Sequence, residues 1–198
     1  MRRGALMTYN EIVTDYIRTY RDGVRGELRG FEKERNLSAA IRRATLCQRE
    51  DGKRYSHQRR IPSRVLEEAE LRLQAIEQSL AKASDFDAVH RLLNERIGGI
   101  DGIGALTVYD IAHRICAYLR KEPTRVYVHA GTRVGALALG IEGDVFDPRI
   151  LPKAFSRLSA SEVEDCLCIY KDDLRGVWSG FRDKSSGCPV LVRRRGCL

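Results

Sequence analysis

The chain has 198 residues, 43% of them hydrophobic and 31% charged, with a net charge of +8 and an isoelectric point near 9.4. That apolar content excludes a disordered polymer and suffices for one core, or a core split into two lobes. No apolar run approaches the roughly 20 residues of a membrane span, and the short apolar stretch after Met1-Arg2-Arg3-Gly4 does not make a secretory signal. A cytoplasmic monomer without membrane contact is expected, and the positive charge favours a polyanionic partner.

In chain order, Ile12, Val13, Tyr16, Ile17 and Tyr20 define one face of a helix over residues 8–21, with Thr8 as its N-cap. Gly23, Gly26 and Gly30 then loosen the pattern, and a second helix runs from Ser38 to about Cys47. The stretch Arg49 to Arg60 has no periodicity, a turn at Asp51-Gly52 and a concentration of cations. It reads either as a solvated loop or as a nucleic-acid-facing one, with Arg54, Arg59 and Arg60 on phosphates and His57 or Gln58 entering a duplex. After Pro62, with Ser63 as cap, a long helix carries the stripe Val65, Ala69, Leu73, Ile76 and Leu80.

Ser84 or Asp85 caps the next helix, which leads into Ile97-Gly98-Gly99-Ile100-Asp101-Gly102-Ile103-Gly104. Apolar residues recur at offsets of three and four on both sides of this stretch: Phe86, Val89, Leu93 and Ile97 before it, Val108, Ile111, Ile115 and Leu119 after it. The pattern predicts two helices joined by a glycine hairpin, pinned by Ile100 and Ile103. Glycines let such a backbone turn with positive φ and leave no side chain over its amides; the N-terminus of the following helix then offers an anion seat. The second helix stops near Lys121-Glu122-Pro123. An extended segment around Val126 passes into a short helix ending at Gly140, which places His129, Thr132 and Arg133 near a helix N-terminus. A short turn begins at Leu151-Pro152. Ser159 or Ser161 caps a last helix with Val163, Cys166, Leu167, Tyr170 and Leu174 on one side, and residues 176–198, with Arg193-Arg194-Arg195, read as a basic tail. The fold class expected is all-α, two-lobed and built around the hairpin at 97–105.

Of six cysteines, Cys166 and Cys168 share a helix and the rest are scattered, so reduced thiols are expected. His113 and Cys116 lie three apart on a helix but lack a second pair at ligand spacing, which favours core packing over zinc.

Ile100-Asp101-Gly102-Ile103-Gly104 resembles the helix-hairpin-helix motif of DNA-binding proteins, which holds a duplex backbone without reading sequence. The order of hairpin, helix, Pro123 loop and Val126–Gly140 segment resembles the helix-hairpin-helix DNA glycosylases over roughly residues 38–175. The resemblance implies a base-flipping cleft between two lobes, double-stranded DNA as partner and no cofactor. It implies DNA contacts at Gly102, Ile103, Gly104 and Thr107, joined by Arg54, His57, Gln58, Arg59, Arg60, Arg125 and Arg133, and a base pocket at Tyr109 and Tyr127. Some family members hold an iron–sulfur cluster on four C-terminal cysteines; Cys166, Cys168, Cys188 and Cys197 do not reproduce that spacing.

Two departures shape the expected chemistry. Members that form a covalent imine carry a lysine just after the second hairpin glycine, where this chain has Ala105 and Leu106, so a monofunctional enzyme is expected. The family's catalytic aspartate falls where this chain has Tyr127-Val128-His129. Breaking an N-glycosidic bond builds positive charge on the sugar, so a group must stabilise that cation, orient water or protonate the departing base. His129 and Asp110 are the two candidates for that work. The reading is a glycosylase excising a damaged or modified base, in repair or in defence against phage with modified DNA. The alternatives are a noncatalytic helix-hairpin-helix DNA-binding module and a helical interaction protein whose hairpin is only a turn.

Overall fold

The computed structural model describes residues 7–181, and within them the fold is all-α apart from one two-stranded ribbon. The helices are α1 (Tyr9–Thr19), α2 (Arg21–Glu32), α3 (Leu37–Thr45), α4 (Ser63–Gln74), α5 (Glu77–Lys82), α6 (Phe86–Ile97), α7 (Ala105–Leu119), α8 (Ala130–Ala138), α9 (Ala160–Ile169) and α10 (Lys171–Phe181). β1 (Val126–Tyr127) pairs antiparallel with β2 (Val145–Phe146), Val126 opposite Phe146 and Tyr127 opposite Val145.

Several helices start where a side chain can take an otherwise unbonded amide. Thr8 and Ser159 each form a reciprocal capping box, with Glu11 and Glu162 respectively. Asn36 and Asp85 cap α3 and α6 by accepting from the amides of Ala39 and Ala88, both at 2.8 Å.

Two separate apolar cores make two lobes. Lobe one packs α3 to α7 around Ile41, Leu66, Leu73, Leu80, Leu93, Ile97, Ile111 and Ile115, and Phe31 of α2 inserts into it. Lobe two packs α1 with α8 to α10 around Ile12, Val13, Tyr16, Phe155, Val163, Leu167 and Leu174. The chain begins in lobe two, crosses to lobe one along α2 and returns through β1. Alternation along that return sends Val126 and Val128 into core two and Tyr127 into core one.

Four element boundaries differ from those the sequence predicts. Residues 21–32 are helical despite Gly23, Gly26 and Gly30, each of which costs a helix about 1 kcal/mol relative to Ala. Phe31 is the one buried side chain of α2, which is otherwise fastened by charge. Arg21 and Arg25 reach Glu162 at 2.8 and 3.0 Å, and Glu32 holds Arg120 at 2.6 Å. The single long helix expected after Pro62 is two, because the backbone leaves helical geometry at Ile76 (φ −114°, ψ 18°). There Gln74 bonds Ser38 through both its amide groups, at 2.9 and 3.0 Å. Ser63 is the first residue of α4, not its cap, and its hydroxyl accepts from Arg54. The last helix likewise breaks at Tyr170, and α10 continues through Phe181. The remainder of the expected basic tail, with Arg193, Arg194, Arg195, Cys188 and Cys197, lies outside the described residues.

Helices α8 and α9 approach closely at Gly135, where an added Cβ would lie 2.2 Å from the Leu167 carbonyl oxygen of α9. Gly135→Ala is therefore expected to destabilise by at least about 1–3 kcal/mol, as overpacking does. Gly99→Ala, with nothing within 4 Å of its Cβ, should stay within about 0.5 kcal/mol of the parent in the same denaturant titration.

Candidate functional site

The hairpin between α6 and α7 closes on itself with two short turns: the Ile100 amide donates to Ile97 at 3.1 Å and the Ile103 amide to Ile100 at 2.9 Å. Ile100 and Ile103 are buried, and Gly102 has φ +91°. That left-handed conformation favours glycine. Gly104 is the N-cap of α7 and has no side chain to bond the first-turn amides. A Cβ at Gly99 or Gly104 would meet nothing, and one at Gly102 would meet only Val65 of α4, at 3.7 Å. The turn thus exposes main chain at the positive end of a 15-residue helix, which suits one anionic group. Ile103 and Thr107 are buried beneath it.

The basic stretch is an ordered loop. Gln48 and Arg54 form an isolated bridge, the Arg49 amide donates to Lys53 at 2.8 Å, and Gly52 turns with φ +74°. Arg54 is committed internally, to the Ile61 carbonyl at 2.7 Å and the Ser63 hydroxyl at 2.8 Å. Those bonds tie the loop to the start of α4 beside Gly102. Arg59 and Arg60 remain exposed. Gln58 is buried and His57 remains exposed, yet both reach one carboxylate: His57 Nε2 lies 2.8 Å from Asp110 Oδ2, and Gln58 Nε2 donates to the same oxygen at 2.9 Å. Asp110 stands on α7 six residues beyond Gly104, about 9 Å along the axis. Its Oδ1 has no hydrogen bond among the described residues.

Asp110 lines a cavity of about 150 Å³ at the junction of the lobes. α7 contributes Tyr109, Asp110, His113 and Arg114; the loop contributes Tyr55 and His57; α9 contributes Ser161, Glu164 and Asp165; and Val24, Glu27 and Leu28 of α2 close it. Val24, Leu28, His113 and Ser161 also line a second hollow of about 450 Å³, so α2 partitions the two. Glu164 accepts from the Thr132 hydroxyl, and Asp165 accepts from Tyr16 at 3.2 Å. Burial pushes both carboxyls well above the ordinary carboxylate range, and burial also pulls His113 down to about 4. The site therefore combines a bonded, partly accessible carboxylate on one wall with two acids on the other that desolvation biases toward the protonated form.

Of the remaining sequence candidates, one shares this cavity. Tyr109 lines it, and its buried hydroxyl has no partner among the described residues. His129 is the N-cap of α8 and packs on Tyr109 with ring centroids 4.8 Å apart; neither ring nitrogen has a hydrogen-bond partner among the described residues. Burial is the main cause that lowers it to about 4, against the opposing pull of Asp110, so it is neutral at pH 7. Tyr127 donates to Asp87 at 2.6 Å and packs on His90 and Tyr109. Arg125 is bound to Asp87, and Arg133 to Asp144 at 2.6 Å. The hairpin glycines do not line the cavity. Among the described residues no group of three His, Cys, Asp or Glu is placed to hold a metal ion, and Cys47, Cys116, Cys166 and Cys168 are free thiols.

Glu164 and Asp165 are the functional candidates that sequence reading missed. The signal was periodicity: Glu164 falls four residues after Ala160 and three before Leu167, on the buried stripe of α9. A carboxylate at a core position requires an explanation.

Burial of Glu164 has a measurable consequence for stability. An unfolded-chain glutamate ionises near 4.3, whereas Glu164 in the fold keeps its proton to higher pH. Between those limits the native state binds the extra proton, so stability falls as pH rises, by up to about 1.4 kcal/mol per unit, and levels off above the folded-state value. Glu164→Gln keeps an acceptor for Thr132 but has no proton to lose. Its stability relative to the parent should therefore rise from pH 5 to pH 8 in paired denaturant titrations; a constant difference would contradict the assignment.

No family model matches the sequence, and neither the curated proteins nor the solved structures contain a match to it.

Proposed function

We propose that the protein is a monofunctional DNA N-glycosylase, gripping duplex DNA by its glycine hairpin and basic loop and releasing a damaged or modified base at the inter-lobe cavity. The observation that carries this reading is Asp110, a carboxylate on a cavity wall. It sits on the second turn of the helix launched by the hairpin and is bonded by the loop that presents Arg59 and Arg60. The hairpin amides and the α7 dipole suit one phosphate; Arg59 and Arg60 suit its neighbours. A nucleotide turned out of the stack from there meets the cavity.

In this reading His57 and Gln58 hold Asp110 Oδ2, and Oδ1 faces the sugar. The anion stabilises positive charge developing at C1′ and receives a proton from the attacking water. Neutral His129 has no negative charge to offer; it packs behind Tyr109 and shapes the pocket. Ala105 and Leu106 supply no amine, so strand cleavage at the abasic site is not part of the reaction.

The test is incubation with duplexes bearing assorted lesions and modified bases, followed by alkali to reveal abasic sites. Asp110→Asn should lower base release at least about 100-fold while leaving DNA affinity intact. Replacing Arg59 and Arg60 together by Ala should weaken binding to all sequences and flatten the log–log salt dependence by about 2. Salt-dependent binding without any base release would favour a noncatalytic DNA-binding module. No retention on DNA even at low salt would leave a helical interaction protein.

A further inference from the structure

The cavity has a second acidic wall, on α9, that the proposed reaction has so far left idle. Glu164 is among the buried charged residues, and one of its oxygens is occupied by the Thr132 hydroxyl. Opposite it, Tyr109 is 2% exposed, lines the same cavity, and has a hydroxyl with no hydrogen-bond partner among the described residues. Leaving a buried hydroxyl unmatched costs about 1–3 kcal/mol, so this one points to a ligand that presents a polar atom between α7 and α9. A donor carboxyl and a phenol together suit a ring edge with acceptor lone pairs.

We infer that Glu164 is the acid that protonates the departing base, and hence that the substrate is a base uncharged while joined to its sugar, with a ring nitrogen or carbonyl oxygen able to take a proton. This rests on the glycosylase reading above. The C1′–N bond breaks and its electron pair stays with the base, which takes the proton of the free Glu164 carboxyl oxygen. Water adds to C1′ and gives a proton to Asp110. Exchange with solvent then returns the Asp110 proton to water and a proton to Glu164.

The surroundings favour the protonated form. From α7 the groups facing Glu164 across the cavity are Tyr109, Asp110, His113 and Arg114; from the loop, Tyr55 and His57; from α2, Glu27; and Asp165 is its neighbour on α9. Burial raises Glu164 most, Asp165 and Asp110 add to the effect, and Thr132 opposes it. The acid therefore loses activity only as pH climbs past the ordinary carboxyl range.

The test uses the full chain on duplexes carrying hypoxanthine, uracil, 8-oxoguanine or 5-hydroxymethylcytosine as neutral bases. N7-methylguanine is the contrast, because it is already cationic and leaves without gaining a proton. Release of the neutral base should decline with rising pH. Glu164→Gln should lower that release at least about 100-fold and remove the alkaline decline, with a far smaller loss on N7-methylguanine. A wild-type rate that is flat or rises with pH, or a folded Glu164→Gln that matches the wild type on a neutral base, overturns the role of Glu164 and leaves the glycosylase reading standing. If Glu164→Gln does not fold, the wild-type pH profile decides. Absence of base release from every duplex overturns both.

Discussion

A buried cation at the lobe junction sets much of the arrangement around it. The Arg114 side chain is 5% exposed, and an uncompensated charge there would cost several kcal/mol. It is matched three ways: its guanidinium lies 3.7 Å from the centroid of the Tyr55 ring, Nη1 donates to Gln58 Oε1 at 3.1 Å, and Nε reaches Glu27 at 3.4 Å. The bond to Gln58 also decides which way that amide points. With Oε1 turned to Arg114, the Nε2 group faces Asp110, four residues earlier on the same side of α7. Arg114 thus fixes the cavity carboxylate through an intermediary, and it explains why a loop rich in charge is ordered.

The same principle governs how the lobes are joined. Apolar packing stabilises each lobe internally, whereas α2 crosses the junction with one buried apolar side chain and a set of ion pairs. Glu162 receives two of them. Burial alone would raise its carboxyl, but Arg21, the Ser159 amide and Arg25 outweigh that and hold it below the usual range. The pairing also tempers what a net charge of +8 means. Arg21, Arg43, Arg54, Arg114, Arg125 and Arg133 are engaged within the fold. In the proposed complex it is position, more than total charge, that would make Arg59 and Arg60 the useful cations.

Legibility in the sequence followed the length scale of each cause. Caps at Thr8, Asp85 and Ser159, the hairpin and the apolar stripes of α6 and α7 were readable because they depend on residues within one or two turns. Helix α2 was not, since its glycines argue against a helix locally and the compensating partners, Glu162 and Arg120, are some 90 to 140 positions away. The break at Ile76 was hidden for a related reason: the apolar stripe continues through it, with Leu73, Ile76 and Leu80 all buried. In the site, Asp110 and Tyr109 could be named from their place on the post-hairpin helix. The bonds of His57 and Gln58 to Asp110 were not readable, because a run of charged residues carries no sign of which members face a distant carboxylate. Glu164 was legible only as an acid on an apolar stripe, Asp165 not even as that, and nothing local linked them to Thr132, readable only as a polar residue near a helix N-terminus, or to Tyr16, on an apolar helix face.

If the proposed glycosylase reading holds, His129 stands where the resembling enzymes carry an aspartate, and the charge at the site has to be supplied differently. Here His129 begins α8, beside amides that would favour an anion, yet its own ring is neutral and enclosed against Tyr109. An imidazolium at that place would face both the helix dipole and desolvation, so protonation is disfavoured on two counts. In the proposed reaction the negative charge at the cavity would come from another wall, where Asp110 has hydrogen-bond donors on Oδ2 and no hydrogen bond on Oδ1 among the described residues. The donors are supplied by the loop that also carries Arg59 and Arg60. In the proposed complex, a strand seated on those arginines would press on the short segment that orients the carboxylate, which links backbone grip to the readiness of the site without requiring any motion of the two cores.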